Sequence, residues 1–568
     1  MSEFLLHYEK VNPTSWAYLS SLLLIGLFFK FNRFWSVRNL DLVLLILLAP
    51  GLLIVQGGNR QMQAVAREAA ELRNAAESGI TKPANSDDLP PVTDSPSTTS
   101  SAKPGAAAKA VERQPEVLAK TAEALAELGG LPSAATKSNP PPLVKSSDSP
   151  VPSTNPANPA SNAVANATDW KQLQEHELAA RNMLWRGYFW LLVVCAVLLA
   201  RLLFDPTMVR RPLLYPNLST GGLLFLGGAL FFFLMANVIT SQVTAGDLSG
   251  PKGAEAILSR TDHSSRDEQG EDYSQHGPGY YALHLLPGVI TPAYSKEDSP
   301  SGDPKYSARV AVAKTMAVIA HLAILAAMVF IGYWHFENIK MGIGAATMYL
   351  LLPYTSQMTG HVDHVLPAAL LLWAIVLYRR PAVAGALIGL AMSTFYYPFF
   401  LLPLWLSFYW QRGVMRFLSG LLVAVGIMVL SLVFVSDNPV SFWLKIQSMF
   451  GLWIPKTEGL HGIWALGWDP VYRIPVIAGC VCLGASMAIW PAQKNLGTLL
   501  SCSAAIMVAI QFWHGHGDGG GLYLAWFLPL ALLTIFRPNL EDRVALTVLG
   551  EDWFTRRRAK LAQVRKAA

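Results

Sequence analysis

Long apolar stretches separated by short polar turns fill most of this chain. Windows of 16 to 23 residues with almost no charge recur, each long enough to cross a hydrocarbon core of about 30 Å as a helix. They place thirteen spans near 15–32, 40–56, 184–204, 219–240, 309–334, 342–356, 364–378, 382–395, 397–411, 417–435, 474–490, 496–513 and 521–536. The stretch Thr394-Phe395-Tyr396-Tyr397-Pro398 reads either as a tight turn between two short spans or as a break within a re-entrant pair. Short strands of alternating polarity, the mark of an outer-membrane barrel, are missing. The pattern predicts an all-α, polytopic transmembrane helical bundle.

Two polar stretches interrupt it. Residues 57–168 are rich in Ala, Pro, Ser, Asn and Thr, with runs such as Asn139-Pro140-Pro141-Pro142. Too little apolar area exists there to fold alone, so the segment reads as a disordered extracytoplasmic linker, with helical tendency over Gln61–Ser78 and Ala106–Leu128. The second stretch is a 68-residue loop, 241–308. The chain then divides into a two-span hairpin (1–56), the linker (57–168), a third span with a basic loop (169–218), a ten-span module (219–540) whose first loop is the large one, and a basic tail (541–568).

Composition agrees. Hydrophobic residues make up 52%, mean hydropathy is +0.33 and only 14% of residues are charged, against about a quarter in a soluble chain. The net charge of +6 is explained by membrane topology and implies no nucleic-acid partner. One set of short loops holds Lys30, Arg33, Arg38, Arg201, Arg210, Arg211, Lys340, Arg379, Arg380, Arg412, Arg416 and Lys494, and the tail after Phe536 adds eight more cations. By the positive-inside rule the N-terminus is outside and the C-terminus cytoplasmic. Lys314 falls about one turn inside its span and either snorkels or faces a polar cavity. Trp16, Trp185, Trp190, Trp334, Trp410 and Trp513 stand at span ends and read as interface anchors. The first span is too long for a cleaved signal peptide. Cys195, Cys480, Cys482 and Cys502 lie in apolar segments and read as buried small residues.

The outer loops of the ten-span module collect the chemistry. Eight of the twelve histidines fall there. Asp247 follows the fourth span as it leaves the membrane, where an interfacial carboxylate suits a general base and Gly246-Asp247 also makes a good turn. His361-x-Asp363-His364 sits on a short outer turn. His361 and His364 share a face if helical, and with Asp363 they suit a divalent metal or a phosphate, while Asp363 also suits a helix cap. His514-x-His516-x-Asp518, followed by three glycines, is a second dense cluster that fits a metal, a substrate or a plain flexible loop. The segment from Gly277 to Pro287, with His276 before it and Tyr280 and Tyr281 within it, reads as a short amphipathic element at the membrane surface.

The last ten spans resemble the GT-C class of membrane glycosyltransferases, near the bacterial polyprenol-phosphate mannosyltransferase-like proteins. The resemblance covers roughly 219–540 and rests on three stretches. One is a span followed by Gly246-Asp247 and a large loop. Another is Asp272-Tyr273-x-x-x-Gly277-Pro278-x-x-Tyr281. The third runs from Leu352-Pro353 through Gly360-His361-Val362-Asp363 to Arg379-Arg380-Pro381, Gly385, Gly389 and Tyr397-Pro398. It implies a bacterial inner-membrane enzyme transferring a sugar from a polyprenyl-phosphate donor to a glycan, lipid or protein acceptor. Asp247 would be catalytic. Asp272, His276, Tyr280 and Tyr281 would shape the sugar site. His361, Asp363, His364, His514, His516 and Asp518 would bind donor phosphate directly or through Mg or Mn, with His361, Asp363, His514 and His516 as the candidate ligands. Relatives often carry a lysine where this chain has Phe395, which puts the donor type in question. Two rival expectations are a transporter or flippase, disfavoured by the scarcity of mid-span ionisable residues beyond His321 and Lys314, and a non-catalytic scaffold.

Overall fold

The structure, a computed structural model, describes residues 12–80, 159–208, 214–244, 246–259, 276–290, 304–436, 438–451, 460–514 and 522–538. Every element among them is helical. Five helices are long and apolar enough to cross a membrane, which makes this a helical membrane protein: Val37–Asn74, Trp170–Thr207, Thr220–Thr240, Tyr306–His335 and Val414–Val435. Most of the linker, 81–158, lies outside the described residues.

In chain order the helices are α1 (Pro13–Phe28), α2 (Val37–Ile80), α3 (Pro159–Phe204), α4 (Thr220–Thr240), α5 (Ser249–Ser259), α6 (Pro278–Leu283), α7 (Leu285–Ile290), α8 (Pro304–Phe330), α9 (Ile339–Leu351), α10 (Pro353–Gln357), α11 (Val362–Val376), α12 (Pro381–Thr394), α13 (Leu402–Tyr409), α14 (Val414–Val435), α15 (Pro439–Phe450), α16 (Arg473–Ser486), α17 (Leu496–Ile510) and α18 (Leu528–Phe536). Local sequence sets many of the ends. Pro13, Pro353 and Pro381 each sit in the first turn, where the missing N–H costs nothing. Leu352 is extended because the following proline disfavours a helical residue before it, and so α9 breaks from α10. The stretch Thr394–Pro398 resolves into two helices. α12 stops at Thr394, Phe395 is extended, and a 3₁₀ turn Tyr397–Leu401 leads into α13. α2 continues past the apolar stretch to Ile80, since Gln61–Ser78 is rich in Ala, Glu, Arg and Gln, which are good helix formers.

Chain contacts divide the protein into two units, 1–67 with 173–568, and 68–172. The second is largely outside the described residues. Within the first, helices approach through glycine, as expected where lipid offers no hydrophobic drive between them. A Cβ on Gly58 would stand 2.7 Å from the Leu184 side chain, and one on Gly187 as close to Val55, so α2 and α3 meet backbone to side chain. Gly385 and Gly389 of α12 face the Phe417 and Leu421 carbonyls of α14, and Gly420 returns the contact at Ala382. The other faces of α14 stay largely exposed, and its Leu422, Val423 and Ile427 lie open. α17 and α18 are buried throughout.

At one end of the bundle a buried ion network joins α2, α3 and the residues after α18. Arg201 grips Asp41 with two bonds, 2.8 and 3.0 Å. It also reaches Asp205 at 3.2 Å, and Asp205 takes Arg537 at 2.5 Å on its other oxygen. Arg38 donates to the carbonyls of Ile535 and Arg537. α2 and α3 are therefore locked to the residues around the end of α18. Trp16 stacking on Phe233 (5.4 Å) and Phe28 edge-on to Phe536 (5.6 Å) add to this.

Candidate functional site

The site begins where α4 ends. Thr240 closes the helix, the chain extends through Ser241, and a turn at Gly246–Leu248 starts α5. Thr244 and Asp247, three residues apart, hold this turn reciprocally, the short-range pattern that Ser, Thr and Asp favour. Thr244 donates its hydroxyl (2.6 Å) and backbone N–H (3.2 Å) to Asp247 Oδ2. The Asp247 N–H returns a bond to Thr244 Oγ1 at 3.4 Å. The other carboxylate oxygen accepts from His361 Nδ1 at 2.9 Å. Asp247 is 7% exposed. Burial pushes its carboxyl up, but the bond and charge of His361 and the two Thr244 donors outweigh this and leave it below the ordinary carboxylate range. The group is ionised at neutral pH.

His361 is the N-cap residue of α11, so its side chain emerges at the helix mouth and Asp363 lies within the first turn. Asp363 is held on three sides. Its Oδ1 accepts the His364 N–H at 3.0 Å, its Oδ2 accepts the Tyr523 hydroxyl at 3.1 Å, and its carbonyl accepts Trp526 Nε1 at 3.1 Å. His361 holds the N-cap position without a side-chain capping bond, and Asp363 takes a first-turn N–H while its carboxylate lies close to Asp247. His364 is fully buried, bonded through Nδ1 to the Tyr354 hydroxyl at 2.5 Å and stacked on Tyr523 at 4.1 Å. The His361 and His364 rings do share a face, with centroids 5.5 Å apart.

A second wall comes from α6. Glycine permits it. Gly277 and Gly279 lie against Ser393 at the end of α12, and Gly253 of α5 lies under the Tyr281 ring. The Gly277 N–H bonds the Thr394 carbonyl at 2.9 Å. Tyr280 and Tyr281 are 1% exposed, so the reading of this segment as a membrane-surface element is corrected: close glycine packing draws its aromatic side inward. His276 stacks on Tyr280 at 4.2 Å and meets Phe395 edge-on at 5.1 Å, and Phe395 reaches Trp526 at 5.4 Å. Phe395 thus stands in the middle of an aromatic wall made with His276, Tyr280 and Trp526. His284 donates its Nδ1–H to the Tyr280 carbonyl (2.8 Å) and packs over Gly250. Burial pushes both His276 and His284 down to about 4, and it pushes the Tyr280 hydroxyl well up. Both rings are neutral at pH 7.

His514 joins the same wall. It bonds the Tyr397 hydroxyl and lies edge-on to Tyr523 at 4.8 Å. Asp272, His516 and Asp518 lie outside the described residues. Of the sequence candidates, the structure brings together Asp247, His361, Asp363 and His364 directly, with His276, Tyr280, Tyr281 and His514 around them. Thr244, Tyr354, Tyr523 and Trp526 are additions that sequence reasoning missed. Only Thr244 carried a local signal, its three-residue spacing from Asp247. Two tryptophans read as interface anchors, Trp16 and Trp513, are buried instead, whereas Trp410 is exposed.

One donor atom each from Asp247, His361 and Asp363 lies within 4.8 Å of the others. Ligands of one Mg ion stand at most about 4.2 Å apart, so a contraction of a few tenths of an ångström would let the three hold a hard divalent cation. This set takes Asp247 in place of His514, whose Nδ1 is engaged by Tyr397. No family model matches the chain, and no curated protein or solved structure matches it either.

Proposed function

We propose that this protein is a thirteen-span membrane glycosyltransferase of the GT-C kind, N-terminus outside, that transfers a sugar from a polyprenyl-phosphate donor to an acceptor hydroxyl at the outer face of a bacterial inner membrane. The observation that carries the reading is the Asp247–His361 hydrogen bond at the mouth of α4, with Asp363 beside it. An ionised carboxylate bonded to one ring nitrogen fixes the tautomer and orientation of the imidazole. The pair is then the proton acceptor for the attacking hydroxyl. Asp363 and the N-terminus of α11 face the leaving phosphate's side, and a bound Mg or Mn would supply the positive charge that two carboxylates cannot. His361 and Asp363 are the residues that would hold it, which leaves Asp247 to take the proton. The wall of His276, Tyr280 and Phe395 offers an uncharged aromatic surface for a sugar ring, and rate comes chiefly from positioning.

The test is binding and transfer by the purified protein in nanodiscs with a panel of polyprenyl-phosphate sugars. Asp247→Asn is expected to lower transfer by about 10²–10⁴-fold with donor affinity retained, and His361→Ala to weaken both. Absence of binding to every member of the panel would end the transferase reading.

A further inference from the structure

A narrow recess, partly open to the outside, lies where α1 and α2 meet α4 and α10. It shares no residue with the Asp247 cluster. Trp16 from α1, Gln56 from α2, Phe233 and Asn237 from α4, and Ser356 and Gln357 from α10 line it. Pro13 and Trp16 stand at the start of α1, Asn237 in the last turn of α4 and Gln357 at the end of α10, so the recess sits near the ends of these helices.

Its chemistry is one-sided. No lining side chain is charged. Trp16 is 7% exposed, yet its indole N–H is buried with no acceptor among the described residues. The amide nitrogen of Gln357 is in the same condition. Both atoms can only donate, and a buried donor left without a partner costs about 1–3 kcal/mol. The stack on Phe233, with planes 10° apart, holds the Trp16 ring in place, so the N–H is not relieved by a small rotation of that side chain. An anion would find no cation here, and a cation would find no carboxylate. What fits is a neutral group rich in acceptor oxygens, presented from the lipid phase.

We propose that this recess binds the uncharged, oxygen-bearing part of a lipid, with its acceptor oxygens on the Trp16 indole N–H and the Gln357 amide. Sugar hydroxyls of a neutral glycolipid and ester carbonyls of a diacylglycerol unit carry that same chemistry. The proposal stands apart from the transferase reading, because binding is read without any donor or transfer.

The experiment is equilibrium binding of radiolabelled octyl β-glucoside and, separately, of 1,2-dioctanoylglycerol to the full-length protein held in amphipol, which keeps ester lipids out. One saturable site per chain is expected for at least one probe. Glucoside alone assigns sugar hydroxyls, and dioctanoylglycerol alone assigns ester oxygens. Trp16→Phe, which keeps the ring stack, combined with Gln357→Leu is expected to weaken that site at least about tenfold, a loss of about 1.4 kcal/mol. Asn237→Leu is a second variant should the pair elute as aggregate. No saturable site for either probe, or unchanged affinity in a well-folded variant, overturns the proposal.

Discussion

The two ends of α4 present two buried polar clusters built on opposite plans. Before α4 starts, Asp41, Arg201, Asp205, Arg537 and Arg38 form a network in which each carboxylate is gripped by guanidinium groups and Arg38 takes two carbonyls. About 30 Å away along the 21-residue helix, Asp247 and Asp363 approach each other, bonded among the described residues to histidine, hydroxyl and backbone donors. In the first cluster three guanidinium groups cover two carboxylates, so neither acid is left uncompensated. The second assembles two acids whose donors are neutral or titratable, which leaves it suited to gaining positive charge from a ligand. Charged groups that are saturated hold helices together; charged groups held close but under-compensated do chemistry.

The largest expected effect breaks the saturated cluster. Arg201→Met would leave Asp41, which is 1% exposed, without its two-bond partner. Losing one member of a buried pair costs about 3–5 kcal/mol, so chemical unfolding in detergent should report a loss of that size. Replacing Asp41 by Leu in the same chain should recover most of it, because an apolar pair of similar volume restores neutrality. If Arg201→Met unfolds within about 1 kcal/mol of the parent, the network does not lock the N-terminal helices and the contrast drawn here collapses.

Next in size is a pH effect to which the Asp247 end contributes. His276 and His284 are neutral when folded, burial having moved each from the ordinary 6.5 to about 4. Below pH 6.5 the unfolded loop takes up protons that the folded one refuses. Their stabilising contribution is therefore full above 6.5 and is lost as pH falls from 6.5 toward 4, by up to about 3 kcal/mol for each ring. Melting in detergent across pH 7.5 to 4.5 should show stability falling on acidification. In His284→Gln, where one of these rings is gone, the fall should be shallower than in the parent. A flat profile in the parent would mean that these rings are solvated in the folded protein.

Hydropathy made the helices legible, and proline placed their breaks, as at Leu352 and around Tyr397-Pro398. The turn bearing His361 and Asp363 was legible too, since ionisable residues beside an apolar run stand out. Partnerships across the chain were not. Arg38 and Arg201 read as orienting charges in short loops, because nothing local to Arg201 points to Asp41, 160 residues earlier. Trp16 read as an interface anchor, because a tryptophan at a span end is the same letter whether it faces lipid or Phe233. Tyr280 and Tyr281 read as surface aromatics, because the glycines that admit them, Gly253 on α5 and Gly277 and Gly279 against Ser393, act through distant backbone. Tyr523 and Trp526, which hold Asp363, carried no mark of that role.

That dependence on glycine supplies the smallest test, and it separates the two plans most cleanly. The charged end is held by ion pairs, with Gly497 making room for the Arg537 guanidinium; the Asp247 end is held by clearance without such pairs. A Cβ on Gly253 would run into the Tyr281 ring, whereas one on Gly288, in the neighbouring α7, would meet nothing within 4 Å. Gly253→Ala should therefore cost about 1–3 kcal/mol through overpacking, despite alanine's better helix propensity. Gly288→Ala should be neutral or stabilise by up to about 1 kcal/mol. The readout that ties this to the site is local: Tyr281 touches Tyr280, which stacks on His276, so Gly253→Ala should speed amide exchange at Tyr280 while leaving Arg201 and Asp205 unchanged. Equal exchange at both ends would mean that the bundle opens as one unit, and that the outer cluster has no separate, packing-controlled freedom with which to admit a ligand.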